Sequence, residues 1–196
     1  MSEECGTGIC PLVRIGKRHN GSVTSFGLAI GLALLAGSAA GQGNPFAGPA
    51  RARVLVFART DCPITNRYAP ELQRIASKFA DQNVAFWIVY PDASELSAAI
   101  EKHMADYRLP GKWLHDPRHE LAQRAEATIA PQAAVFDGGG KLVYSGRIDD
   151  RYVDFGKVRP APTVHDLEDA ITATLAGAPV PHPRTRAVGC FLADLK

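Results

Sequence analysis

"ARVLVFARTDCPITNRYAPELQRIA", residues 52–76, runs a short β-branched and aromatic segment into a single cysteine and then into a helical repeat. Residues 52–59 read as a buried strand. Ile64, Tyr68, Leu72, Ile75 and Phe79 recur every three to four positions and form one apolar helix face. Pro63 suits the first helical position, because it has no N–H to leave unpaired and its φ is already set. That places Cys62 at or beside the N-cap, where unpaired N–H groups and the helix dipole favour a thiolate. Arg59 and Arg67 add positive charge nearby and Asp61 opposes it. The competing reading is a buried, inert thiol, since cysteine is among the most buried residue types.

Outward from this stretch, "NVAFWIVYPD" (83–92) reads as a second strand ending in a Pro-Asp turn, and "SELSAAIEKHMADY" (94–107) as a helix with Ser94 as N-cap. A short "KWLHD" strand, a helical "RHELAQRAEAT" and a Gly-turn hairpin in "PQAAVFDGGGKLVYSGRI" follow. A last helix spans about 164–176. The order β-α-β-α-β-β-α predicts an α/β domain with a central mixed sheet flanked by helices on both faces. "NPFAGPA" (44–50) reads as a linker, residues 52–177 as the domain, and 178–196 as a Pro-rich tail carrying Cys190.

Basic residues in "RIGKRH" (14–19), the apolar "FGLAIGLALLAG" (26–37) and the small residues that follow have the order of a signal peptide, with Ser38 and Ala40 suiting cleavage after Ala40. The apolar run is shorter than the roughly 20 residues that span a bilayer, so export without a stable membrane span is expected, to the periplasm or the exterior. Cys5 and Cys10 leave with the leader, and Cys62 and Cys190 then allow one bridge in an oxidising compartment. A net charge of +2 with interspersed signs offers no basic stripe for nucleic acid. His115 and His119 stand on either side of Pro117 and read as solvated turn residues, and no histidine pair has zinc-motif spacing. "DGGGK" (137–141) lacks phosphate-loop spacing, so no cofactor is indicated, and Asp149 and Asp150 read as a solvated loop.

The segments "VLVFARTDCP" and "DPRHELAQRAEATIAPQAAVFDGGGKLVYSGRID" (116–149) resemble the thioredoxin-like superfamily, in particular its redoxin branch with the alkyl hydroperoxide reductase/thiol-specific antioxidant proteins. The resemblance covers about residues 52–177 and implies a thioredoxin-like fold. It makes Cys62 the reactive cysteine, Pro70 the proline that kinks the first helix, and Pro131 a cis-proline beside the sulfur. Pro131 would then expose backbone groups for strand-like pairing with a substrate chain. Departures are equally specific. Thr65 stands where thioredoxins have their second cysteine, which excludes an intrahelical dithiol. Arg59 stands where peroxiredoxins need Thr or Ser, with Thr60 one residue off. Ala130 precedes the cis-proline, and Val56 replaces a buried acid. The ending "TRAVGC" is similar to redoxin-domain proteins with a far C-terminal cysteine.

These features imply an exported thiol-disulfide oxidoreductase or thiol peroxidase. Cys62 is the nucleophile, Cys190 a resolving cysteine swung across by the tail, Pro131 the third member of the catalytic set, and Thr60, Pro63, Thr65 and Arg59 support them. Its substrate would be a thiol/disulfide protein or a small peroxide, and an electron-donor partner would close the cycle. The alternatives are a copper-binding or copper-delivering module using Cys62, Cys190 and a histidine such as His182, and a non-catalytic domain with a structural Cys62–Cys190 bridge.

Overall fold

A computed structural model describes residues 43–192, so the leader over residues 1–40 lies outside the described residues. The strands and helices in chain order are β1 (Ala52–Phe57), α1 (Pro63–Lys78), β2 (Val84–Tyr90), α2 (Ser97–Asp106), β3 (Lys112–His115), α3 (Glu120–Arg124), β4 (Ile129–Ala130), β5 (Gln132–Asp137), β6 (Leu142–Gly146), β7 (Tyr152–Asp154), β8 (Lys157–Val158), α4 (Asp166–Leu175) and β9 (Cys190–Phe191). Five strands form the central sheet in the order β3-β2-β1-β5-β6. β1 is parallel to β2 and antiparallel to β5, so the sheet is mixed.

Alternation across the pleat sorts the core into two layers. Val54, Val56, Ile88 and Val135 face α1 and α4, where Leu72, Ile75, Leu167 and Ile171 meet them. Leu55, Phe57, Trp87 and Phe136 face the other way, towards Ala122 and Ala125 around α3. Every residue of β1 is buried because the strand is paired on both edges and covered on both faces. Arg53 is the polar exception. Its guanidinium donates to the carbonyls of Pro45, Gly48, Asp137 and Gly138, which occupies four of its five donors.

Those bonds correct the linker reading of residues 44–50. Pro45 is buried, and Phe46 stands edge-on to Phe136 under the Arg124 guanidinium, so this segment is docked on the domain. Ser94 does not cap α2. Its hydroxyl donates to Asp92 Oδ1 at 2.6 Å and the helix begins three residues later, behind Leu96. The α3 segment holds only one turn and a half of helix, because His119 before it and Glu126 after it adopt left-handed φ of 57° and 55°.

The solvated-turn readings also give way to burial. His119 is buried and bonds the Pro91 carbonyl, while His115 bonds the Asp92 carbonyl, so both hold the turn after β2. Asp149 accepts from the Tyr68 hydroxyl at 2.5 Å and ties α1 to the exit of β6. Asp150 accepts from the Thr163 N–H and hydroxyl and the Val164 N–H. Burial opposes its ionisation, but these bonds and Arg159 hold its pKa down at about 2.

Among the described residues no helix is long and apolar enough to cross a membrane. Leu72, fully buried between α1 and the sheet, tests the larger layer. Leu72→Ala is expected to lower unfolding free energy by about 2–5 kcal/mol in urea titration, from lost transfer energy plus the cavity left behind.

Candidate active site

β1 delivers the chain to the site, and the Ala58 N–H still bonds the Val89 carbonyl at 2.8 Å before the strand gives way to a turn. Cys62 is the N-cap of α1 in an extended conformation, Pro63 follows at the first helical position, and Pro70 lies inside the helix. The Cys62 side chain is fully buried. Its S–H donates to the Ala130 carbonyl at 3.1 Å, and the Ala130–Pro131 peptide is cis.

The second sulfur arrives by backbone pairing. β9 lies antiparallel to β4, with Cys190 opposite Ala130 and Phe191 opposite Ile129. Cys190 is a half-buried free thiol whose S–H donates to Cys62 Sγ at 2.9 Å. The tail therefore already lies across the domain with its sulfur in contact, where a swing across the domain was expected.

Its path is held at several points. Ser145 N–H bonds the Pro183 carbonyl and Thr185 N–H bonds the Ser145 carbonyl. Arg184 pairs with Glu126, Val188 and Leu192 are buried, and Leu192 N–H bonds the Thr128 carbonyl. Two glycines permit the approach. A Cβ on Gly146 would stand 2.0 Å from Thr185 Oγ1, and one on Gly189 would stand 2.0 Å from the Ala130 carbonyl oxygen.

The two sulfurs are electrostatically unequal. Burial pushes the Cys62 thiol up, yet the Cys190 S–H and the Thr65 backbone N–H and hydroxyl favour the thiolate more strongly, and the net pKa falls below the ordinary cysteine value. Burial and donation to Cys62 push Cys190 up to about 12, with Arg59 opposing the rise. Cys62 is thus the more readily ionised sulfur of the pair, and Cys190 the one that holds its proton. Thr65 Oγ1 is fully enclosed and has no hydrogen-bond partner among the described residues. An unsatisfied buried hydroxyl costs about 1–3 kcal/mol, and charge on the neighbouring sulfur supplies the acceptor it lacks.

Of the residues singled out in the sequence, Cys62, Cys190, Thr65 and the Ala130–Pro131 peptide come together. Arg59 also acts on the tail. Its guanidinium donates to the Phe191 carbonyl at 3.1 Å and pairs with Asp61, so it clamps the tail. Arg67 is exposed on α1. Thr60 gives its N–H to Glu95 Oε1 at 2.6 Å. His182 is exposed and does not join the sulfurs. Among the described residues the one grouping of three or more such ligand atoms is Glu71, His165 and Glu168, whose carboxylates already pair with Arg74 and Lys78.

One residue went unnoticed in the sequence. The buried Gln132 side chain accepts from Thr128 and Ile129 N–H and donates to the Glu126 carbonyl and Ser145 Oγ, which braces the loop that presents Ala130. Its position directly after Pro131 was the available signal.

Residues 45–145 match the family model described as the AhpC/TSA family. The chain belongs to the AhpC/TSA family. No curated protein matches the sequence. Among solved structures, an uncharacterized conserved protein from Geobacillus kaustophilus is 25% identical with a TM-score of 0.61, over 73% of this chain and 77% of that one. A hypothetical protein from Sinorhizobium meliloti is 21% identical with a TM-score of 0.63, over 73% and 79%. A chain assigned as the thiol:disulfide interchange protein DsbE from Chlorobium tepidum is 19% identical with a TM-score of 0.50, over 65% and 82%. The last two are likenesses of fold, and the fold of this family member is thioredoxin-like.

Two expected outcomes test the site. In a thiolate absorbance titration of the chain carrying Cys5→Ser and Cys10→Ser, one sulfur ionises below the ordinary cysteine range and the other only near pH 12. Thr65→Val and Cys190→Ala each raise the Cys62 pKa, whereas Thr65→Ser keeps it low. Gly189→Ala, by pushing the tail off Ala130, slows oxidative pairing of the two cysteines at least tenfold in a thiol-trapping time course, while circular dichroism stays unchanged.

Proposed function

We propose that this chain is an exported thiol oxidoreductase in which Cys62 is the nucleophile and Cys190 resolves the product. The observation that carries the reading is the 2.9 Å contact between the two sulfurs at the N-terminus of α1. With a disulfide substrate, the Cys62 thiolate attacks one sulfur and forms a mixed disulfide as the other sulfur leaves as a thiolate. Cys190 then attacks Cys62 Sγ, forming the internal disulfide and expelling the second substrate thiolate, which takes up the Cys190 proton. With a hydroperoxide, Cys62 takes the terminal oxygen and becomes a sulfenic acid while the alcohol leaves, and condensation with Cys190 releases water.

In both cases the substrate is reduced by two electrons and the sulfur pair is oxidised by two. An external thiol must then restore the dithiol. The mature chain is taken to begin near residue 41, with residues 52–177 as the redoxin domain and the docked tail as part of its site.

The test uses the full chain with Cys5→Ser and Cys10→Ser, titrated against a graded glutathione buffer and followed by peptide mapping. A reversible Cys62–Cys190 couple above about −250 mV is expected, and a bridge surviving well below about −300 mV marks a structural staple instead. Cys62→Ser is expected to abolish turnover of disulfide and peroxide alike, and Cys190→Ser to stall at the Cys62 adduct. Unchanged turnover in Cys62→Ser would sink the reading.

A further inference from the structure

The β7–β8 hairpin lies beyond the matched span of residues 45–145, and the fold leaves much of its apolar surface uncovered. Tyr152 turns inward against Tyr68, whereas Val153, Phe155 and Val158 are exposed. Asp154 and Lys157 close the hairpin, with Gly156 at a φ of 73° in the turn. Such a turn favours small or polar residues, yet Phe155 stands at its tip with 63% of its surface in water. We propose that this hairpin and the adjoining tail form a docking surface for an acidic segment of a protein substrate, anchored by an apolar side chain between Phe155 and Phe191. Granted the Cys62–Cys190 couple proposed above, that substrate is the protein whose disulfide Cys62 attacks.

Shape provides the anchor. Phe155 and Phe191 line one cavity of about 370 Å³, together with Ile129, Val188 and Gly189. Phe191 is 73% exposed, but its carbonyl is held by Arg59 and its backbone is paired with Ile129, so the ring is presented from a fixed strand. It is also the neighbour of Cys190, which brings a segment seated there beside the sulfur pair. Contiguous apolar surface with a charged rim is the pattern of an interaction site.

Charge selects the occupant. Arg151, Lys157, Arg159 and Arg186 are exposed on the hairpin or beside it. Arg159 pairs with the enclosed Asp150 at 3.3 Å, and Arg186 stands 3.7 Å from Asp154. Arg151 and Lys157 have no carboxylate partner among the described residues. The rim therefore carries an excess of positive charge, which complements glutamate and aspartate and repels lysine and arginine. A second copy of this chain meeting the same surface would set that excess against itself.

The experiment uses the reduced full chain carrying Cys5→Ser and Cys10→Ser. Two peptides each place Phe and Leu beside a cysteine, flanked by glutamates in one and by lysines in the other. Docking is read by fluorescence anisotropy on labelled versions with serine for the cysteine. Chemistry is read by release of thionitrobenzoate, which the cysteine versions carry as a mixed disulfide. The acidic peptide is expected to bind and to react at least tenfold better than the basic one, with the difference shrinking as salt rises. Phe155→Ser is expected to weaken its binding at least fivefold, and Lys157→Glu combined with Arg186→Glu to abolish the preference. The rate with bis(hydroxyethyl) disulfide, small and neutral, stays unchanged in these variants. Equal binding of the two peptides, or a preference that survives the substitutions, overturns the inference. So does a dimer in light scattering that Phe155→Ser dissolves. Acidic-selective binding with release that is absent, or that persists unchanged in Cys62→Ser, overturns the proposed function and leaves the docking surface standing.

Discussion

The backbone of Ala130 meets both halves of the thiol pair. Its carbonyl accepts the Cys62 S–H at 3.1 Å, and the residue pairs in antiparallel register with Cys190. The peptide therefore sets where each sulfur stands relative to the other, and the rest of the molecule is arranged to hold it. Gln132 braces the loop on one side through four hydrogen bonds, and the Gly189 backbone closes on the other because no Cβ intervenes. A sheet edge left open beside a reactive thiol is a ready site for strand addition. Here the chain fills that edge with its own C-terminal segment.

Equal sulfurs at contact distance would share charge and role. Burial alone would raise both, since taking a thiolate out of water disfavours it. The difference comes from the donors around each. Cys62 caps a helix whose third residue offers an N–H and a buried hydroxyl, and Cys190 adds its own proton. Cys190 sits on an edge strand with only one opposing guanidinium to lower it. The asymmetry suits the proposed division into nucleophile and resolving thiol without an intrahelical dithiol, and Thr65, in the place of the missing cysteine, would support the charge instead of sharing the bond.

Several departures from the sequence reading have one cause. His115, His119, Asp149 and Asp150 are polar residues in turn-like stretches, and polarity alone points to solvent. His119, Asp149 and Asp150 are enclosed and His115 half-buried, because a distant carbonyl, hydroxyl or backbone N–H satisfies them: Pro91 for His119, Tyr68 for Asp149, Thr163 for Asp150. The same holds for residues 44–50, whose Pro and Gly content reads as a linker until the Arg53 guanidinium gathers their carbonyls. Ser94 fails as a cap for a more local reason, since Asp92 captures its hydroxyl before the helix begins.

Periodicity and local chemistry by themselves determined a large part of this protein. The apolar alternation of β1 and β2, the three-to-four repeat of α1 and the Cys-Pro step that starts it are short-range patterns, and they were enough for the α/β order and for a thiol at a helix N-terminus. The Gly-rich turn between β5 and β6 belongs with them. What covers that thiol was a tertiary matter. The docking of Pro183–Leu192 runs through backbone hydrogen bonds to Ser145, Thr128 and β4 that carry no side-chain signature, and through the close approach that Gly146 and Gly189 permit. A Pro-rich segment with no period reads as a loose tail. Only the fold, by bringing residues 129–130 within pairing distance of residues 190–191, makes it the wall of the site.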